Sequence, residues 1–345
     1  MDMPFKDLLE LVLDGQSLTE VQAEQAFTDI MSGDVEGLHI TAFLAALRVK
    51  GETVSEITGA ARVMRAKAAA ITAPEGAVDT AGTGGDGLHS YNISTAAALV
   101  AAAAGVPVAK HGNKAVSSKS GSADVLSALG ISLGLPAEKV EACIQDVGIG
   151  FLYAAKYHAA MANVAPIRKA LGTRTIFNIL GPLSNPAGAR RQVIGVYDPK
   201  WLEPLAEVSG RLGGEKIWVV HGADGLDELS TTGVSHVAEW SDGRLTSFTI
   251  DANDYGLPRA KLEDLRGGDA IHNANALKTL AHGETGPYRD IVLLNAAAAI
   301  LVGGKASTLE DGINQAVAAI DDGRAAKVLE DWAAYGSSDD RRKTT

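Results

Sequence analysis

Near residue 74 the hydrophobic pattern changes period, and that change limits the chain to two parts of different architecture. Before it, apolar residues recur three and four apart: Leu8, Leu9, Val12 and Leu13, then Val21, Ala26 and Ile30, then Phe43, Leu44 and Leu47. That spacing puts each set on one face of a helix. Asp14-Gly15, Met31-Ser32-Gly33-Asp34 and Lys50-Gly51 punctuate the segment, and a further helix is expected over 53–70. Thr72-Ala73-Pro74 reads as a boundary. Residues 1–73 are therefore expected to form a small all-helical N-terminal domain.

From Val78 onward short apolar runs alternate with helical stretches. Strands are expected over 77–80, 106–109, 148–152, 192–197, 216–220, 235–240 and 245–250, with helices over 96–104, 123–129 and 202–212 between them. This alternation is the mark of an α/β fold, a central mainly parallel sheet flanked by helices. It assigns 74–345 to a large α/β domain. Two helices, over 291–302 and 309–334, are expected to close the chain before the polar tail Ser337 to Thr345. No internal repeat is visible.

The chemistry gathers after the first two strands. Asp79-Thr80-Ala81-Gly82-Thr83-Gly84-Gly85-Asp86 follows a strand and precedes Asn92-Ile93-Ser94-Thr95 and an alanine-rich helix. Glycines there let the backbone approach an anion, and a helix start presents unpaired N–H groups at the positive end of its dipole. The spacing is neither that of a P-loop, which needs Gly-Lys-Ser/Thr, nor Gly-x-Gly-x-x-Gly. After the second strand come Lys110-His111-Gly112-Asn113-Lys114 and Ser117-Ser118-Lys119-Ser120-Gly121-Ser122. Three lysines and four serines reverse the local charge in a chain whose net charge is −11. Two such loops at the carboxyl ends of successive strands point at one crevice and at a phosphorylated substrate.

Composition excludes other partners. A charge of −11 does not suit a nucleic-acid footprint, which needs a basic face. The most apolar stretch, 96–108, is too short to span a bilayer, and no basic segment followed by an apolar run opens the chain. A cytoplasmic location is expected, so Asn92-Ile93-Ser94 is set aside as a glycosylation acceptor. Cys143 is the single cysteine, excludes an intrachain disulfide, and reads as a small buried hydrophobe.

Several motifs in order resemble those of the anthranilate phosphoribosyltransferases. They are the two loops above, Arg174-Thr175-Ile176-Phe177-Asn178, Leu180-Gly181-Pro182-Leu183 and Gly225-Leu226-Asp227-Glu228. The helical start is also similar, in Ala42-Phe43-Leu44-Ala45-Ala46-Leu47-Arg48 and Lys50-Gly51-Glu52-Thr53. The likeness runs from about residue 7 to about residue 333.

What the resemblance implies is transfer of a phosphoribosyl group from phosphoribosyl pyrophosphate to the amine of anthranilate, in tryptophan biosynthesis, by a homodimer that uses Mg2+. It also implies that helices from about 156 to 185 join the small domain. It assigns phosphoribosyl pyrophosphate to Gly82, Gly85, Asp86, Ser90, Asn92, Ile93, Ser94 and Thr95 from the first loop. From the second it adds Lys110, His111, Gly112, Asn113, Lys114, Ser117, Ser118 and Ser122. Anthranilate falls to Gly82, Asn113 and Arg168, and the metal to Ser94, Asp227 and Glu228.

Each assignment has a chemical basis and a plainer competitor. Magnesium takes one or two carboxylates plus substrate phosphates, which suits Asp227-Glu228, although an acidic doublet in a loop is ordinarily just solvated. An arginine fork meets a carboxylate with two parallel hydrogen bonds, although Arg168 by itself reads as a surface residue. The arylamine is neutral at cellular pH, so neither His111 nor His158 is required as a base.

Lys114 stands where the family often has arginine, Ser127 where it often has glutamate, and Ala155 and Ala159 where prolines are frequent. These departures touch fine geometry and remove no expected ligand. Two rivals share the fold: a pyrimidine nucleoside phosphorylase, and a non-catalytic relative that binds nucleic acid.

Overall fold

The computed structural model describes residues 3–115 and 119–336. Four helices open it: α1 (Phe5–Leu13), α2 (Glu20–Ser32), α3 (Gly37–Lys50) and α4 (Val54–Lys67). Thr19 and Thr53 cap α2 and α4 by reciprocal bonding with Gln22 and Glu56, each satisfying free N–H groups of a first turn. Glu56 is fully buried, and it is not left as a lone charge: Lys50 Nζ lies 2.9 Å away and Leu18 N donates to its other oxygen. α4 ends at Lys67 rather than at residue 70, because Ala68 turns to extended backbone.

The remainder runs β1 (Val78–Gly82), α5 (Ile93–Ala103), β2 (Val108–Gly112), α6 (Ser122–Ala128), α7 (Ala137–Val147) and β3 (Ile149–Tyr153). A joining segment follows, with α8 (Ala154–Tyr157), α9 (Ala165–Leu171) and α10 (Phe177–Leu183). Then come β4 (Arg191–Gly195), α11 (Leu202–Arg211), β5 (Lys216–Gly222), β6 (Val234–Ser241) and β7 (Arg244–Asp251). Four helices close the described chain: α12 (Ala270–Ala281), α13 (Pro287–Val302), α14 (Leu309–Asp321) and α15 (Arg324–Tyr335). The helix expected over 309–334 is thus two, broken at Asp322-Gly323, where Gly323 has φ +84°. α12 falls in a stretch with no assignment from sequence.

All seven expected strands form, in one sheet of order β3-β2-β1-β4-β5-β6-β7. The first five are parallel, and β6 and β7 add on antiparallel. α5 is buried almost throughout and packs on one face of the sheet beside α13, α14 and α15, as a helix apolar on all sides must. The other face is covered by α11 and by a hydrophobic cluster that runs without a break from Leu8 and Phe43 through Phe177 and Leu180 to Ile194 and Val219. Arg65 of α4 ties the two parts with bonds from Nε to Leu183 O (2.6 Å) and from Nη1 to Leu212 O (3.1 Å). Cys143 is buried and free, its thiol 3.2 Å from Ile149 O and its pKa pushed up to about 12 by burial. No described helix is long and apolar enough to cross a membrane.

Candidate active site

β1 and β4 lie side by side although the chain leaves β1 for β2 on its other flank. Winding reverses between them, and the crevice at their carboxyl ends is where sheets of this kind take ligands. The loop after β5 drops Asp227 into that crevice. A Cβ on Gly82 would lie 2.7 Å from Asp227 Oδ2, and one on Gly195 would lie 1.6 Å from the Asp227 carbonyl oxygen. Two strands must therefore end in glycine for the loop to enter. Gly84 N donates to Asp227 Oδ2 at 2.8 Å, and Gly84 and Gly85 hold the left-handed conformation that closes the turn.

Glu228 sits at the start of α5, its Oε1 accepting from Ser94 N at 3.0 Å. The Asp86 carboxyl lies against that of Asp227, and its Oδ1 accepts from Leu88 N. Burial raises the pKa of all three acids; Asp86 pushes Asp227 further up, and Asp227 does the same to Glu228. Lys110, 2% exposed, threads beneath them to donate to Thr80 O, with Thr80 Oγ1 at 3.3 Å and Ser94 Oγ at 3.5 Å. Burial lowers its pKa, while Asp79 and Glu228 oppose the shift.

Among the described residues no three His, Cys, Asp or Glu side chains form a ready-made metal cage. The arrangement still fits magnesium. The backbone donors that would greet a phosphate, Gly84 N and Ser94 N, are already met by carboxylates. A phosphate brought here repels them unless a cation is shared, and Mg2+ characteristically binds one or two carboxylates together with substrate phosphates and water.

The second loop folds against the first. Asp79, wholly buried, accepts from His111 N (2.9 Å) and Asn185 Nδ2 (2.8 Å), and Asn185 also donates to Ala109 O. Asp79 is a brace, its pKa raised to about 6 by burial. The backbone of Gly112 passes so near Ser122 that a Cβ would meet its Oγ at 2.4 Å. Ser122 Oγ donates to Asn113 O, Lys114 N donates to Asn113 Oδ1, and Asp124 closes the loop by accepting from Ala115 N and Gly121 N. Asn92 joins the loops, donating to Ser120 O and accepting from Asn273. Ser90 pairs with Arg266 in an isolated bridge. Thr95 Oγ1 is buried with no hydrogen-bond partner among the described residues. The Ile93 side chain is in the core, and its backbone N donates to Tyr91 O at 2.8 Å. Ser117 and Ser118 lie outside the described residues.

His111 and His158 face each other with ring centroids 5.1 Å apart. His111 Nδ1 lies 3.2 Å from Gly181 O and so carries the proton, while Nε2 of both rings is buried without a partner among the described residues. Burial, then His158, depresses the pKa of His111 to about 3; it is neutral at physiological pH. Arg168 lies on α9 in the joining segment, half-buried, its guanidinium 5.4 Å from the centre of the Phe177 ring. The guanidinium makes no hydrogen bond or ion pair among the described residues, and burial lowers its pKa.

Sequence reasoning quoted Arg174 but gave it no role. Its guanidinium stacks on Tyr197 at 3.8 Å and donates to Gly85 O, while its own carbonyl accepts from Arg48 of α3. A surface groove of about 600 Å³ lies elsewhere, between α11 and the outer strands, with Glu203, His236 and Phe248 in its lining. None of the clustered acids, lysine or loops of the crevice lines it.

A helical bundle beside an α/β sheet, with acids and anion-ready loops at the sheet's switch point, is the architecture that the glycosyl transferase family models match. Residues 6–68 match the "Glycosyl transferase family, helical bundle domain" and residues 74–326 the "Glycosyl transferase family, a/b domain". The anthranilate phosphoribosyltransferase of Rhodospirillum rubrum is 59% identical over 94% of this chain and 93% of its own. Among solved structures, that from Thermus thermophilus superposes with a TM-score of 0.91 at 42% identity, covering 96% of this chain and 100% of its own. The Saccharomyces cerevisiae enzyme in complex with phosphoribosyl pyrophosphate and Mg gives 0.88 at 28% identity, over 97% and 98%. The chain belongs to the anthranilate phosphoribosyltransferase family.

Proposed function

We propose that the crevice between β1 and β4 transfers the phosphoribosyl group of phosphoribosyl pyrophosphate to the amine of anthranilate, releasing pyrophosphate. The observation that carries this reading is the convergence of Asp227 and Glu228 on the glycine loop and the α5 start, directly above Lys110. The yeast relative, solved with phosphoribosyl pyrophosphate and Mg, supports the same ligands here.

Gly82, Gly85, Asp86, Ser90, Asn92, the Ile93 backbone, Ser94 and Thr95 hold phosphoribosyl pyrophosphate from one side. Lys110, His111, Gly112, Asn113, Lys114 and Ser122 hold it from the other, and the family resemblance adds Ser117 and Ser118, which lie outside the described residues. Thr95 Oγ1 is a donor in waiting, since a buried hydroxyl without a partner is costly until a ligand satisfies it. Asp227, Glu228 and Ser94 hold Mg2+, which when bound neutralises charge on the pyrophosphate as it departs. Lys110 adds a fixed positive charge beneath the same point, placed before the reaction begins.

Arg168 takes the anthranilate carboxylate, its guanidinium donors uncommitted among the described residues, and Gly82 and Asn113 complete that subsite. The amine attacks as a neutral nucleophile. Holding it close to and in line with the anomeric carbon supplies much of the acceleration. His111 is neutral, so its Nε2 offers a lone pair to the amine hydrogens without acting as an obligatory base.

The small domain comprises residues 1–73 together with helices from about 156 to 185, a grouping supported by the cluster linking Phe27, Phe43, Val164 and Phe177. A cytoplasmic homodimer completes the reading; light scattering of the purified protein tests its oligomeric state. The reaction is tested by anthranilate fluorescence over time. Loss of signal that needs both phosphoribosyl pyrophosphate and Mg2+ is the expected result. A constant signal under every condition overturns it and makes nucleoside phosphorolysis the next assay.

A further inference from the structure

In the middle of the largely apolar helix α13 the buried side chain of Asn295 has turned its whole amide onto the backbone of the loop that carries Asp227 and Glu228. Its Oδ1 accepts from Leu229 N at 3.0 Å, and its Nδ2 donates to Leu229 O at 2.8 Å and to Ile291 O at 2.9 Å. Leu229 directly follows Glu228, and both residues of the contact are almost wholly removed from water. The amide orientation is fixed by this pattern, because a flipped amide would set its oxygen against two carbonyls. The same narrow cleft is lined by Asn295, Glu228, Ser94, Gly82 and Gly195.

We propose that Asn295 is a positioning residue for the metal: by pairing with both backbone groups of Leu229 it fixes the height and direction of Glu228 over the start of α5. This rests on the assignment of Asp227 and Glu228 to Mg2+. The physical reason is preorganisation. A carboxylate on a free loop must be ordered when the cation arrives, whereas a loop pinned beside the ligand is ordered beforehand. Asparagine is the residue that fits. Aspartate of the same shape has no proton to give Leu229 O and Ile291 O, and alanine satisfies neither group of Leu229.

The test measures Mn2+ binding by electron paramagnetic resonance in the presence of phosphoribosyl pyrophosphate. The proteins are the unaltered chain, Asn295→Asp, Asn295→Ala, Glu228→Gln and Leu301→Ala. The last creates a cavity at the far end of α13 and controls for general loosening. Melting temperatures and the KM for anthranilate at saturating Mg2+ are read alongside.

We expect both Asn295 variants and Glu228→Gln to bind Mn2+ about tenfold more weakly, with the anthranilate KM within about twofold and Leu301→Ala unchanged in metal binding. If Glu228→Gln weakens Mn2+ binding and the Asn295 variants do not, or if Leu301→Ala weakens it as much as they do, the role of Asn295 is overturned and the metal site stands. If Glu228→Gln binds Mn2+ as the unaltered chain does, the metal assignment falls and the positioning role with it. Should Asn295→Asp fail to fold, Asn295→Ala decides the matter on the same readings.

Discussion

The α-carbon of Gly195, at the end of β4, faces the carbonyl oxygen of Asp227 so closely that a Cβ there would lie 1.6 Å from it. Neither atom belongs to a flexible side-chain tip, so an added methyl has no room unless the loop withdraws. Gly195→Ala is expected to lift Asp227 and Glu228 from the crevice and to lower activity about 100-fold or more, at a stability cost of about 1–3 kcal/mol. Steady-state kinetics with a thermal melt check this, and a folded, fully active variant would show that the loop tolerates the displacement.

The Arg168 guanidinium makes no hydrogen bond or ion pair among the described residues, so its truncation there costs only the 5.4 Å contact with the Phe177 ring. Arg168→Ala is expected to raise the KM for anthranilate about 10- to 100-fold, the size of a lost charged hydrogen-bonded pair, with a smaller change for phosphoribosyl pyrophosphate. Arg168→Lys should recover charge but not the fork, and so only part of the loss. Equal rises in both constants would remove the assigned role.

His111 titrates at about 3 in the fold, below its ordinary 6.5, because burial disfavours the imidazolium. The unfolded chain therefore takes up this proton first as acid is added. Stability held above pH 6.5 is lost as pH falls toward 3, by up to roughly 4 kcal/mol from this residue. Asp79, raised to about 6, acts in the opposite sense: its penalty is relieved as pH falls from 6 toward 4. Urea unfolding from pH 3.5 to 7 should thus be flatter for His111→Gln than for the unaltered chain, and identical slopes would refute the buried neutral state.

Asp86, Asp227 and Glu228 are each raised above their ordinary pKa, chiefly by burial. Mg2+ binds the ionised forms, so protons compete with it, and the Mg2+ needed for half-maximal activity should fall as pH rises from 6 to 9. Replacing both Asp227 and Glu228 by their amides should raise that concentration about tenfold or more and abolish its pH dependence. A titration unaffected by the double substitution would sink the metal assignment.

Much of this site was legible along the chain because its parts are local. A strand, a glycine turn and a helix start are adjacent residues, so Gly82 to Thr95 announce an anion site without a third dimension. Lys110 to Ser122 do the same after the next strand. Asn295 was not legible: in an apolar helix a lone asparagine reads equally as a tolerated polar residue, and its meaning depends on Leu229. Arg174 was quoted in a motif, yet its stacking on Tyr197 and its bond to Gly85 need the joining segment folded against β4. The break at Gly323 was missed because the apolar period of α14 and α15 continues across it in phase enough to read as one helix.

By itself the sequence determined the strands and most helices, the division into a helical and an α/β part, and the residue types offered at each strand end. These follow from hydrophobic period, turn chemistry and caps, which act between residues a few positions apart. Tertiary structure decided what those residues do to one another. It set Asp227 against Gly82 and Gly195, placed Glu228 on the Ser94 N–H, and buried Lys110 and His111 until solvent no longer governed their charge. Such effects depend on proximity and on removal from water, and both exist only once distant segments are packed together.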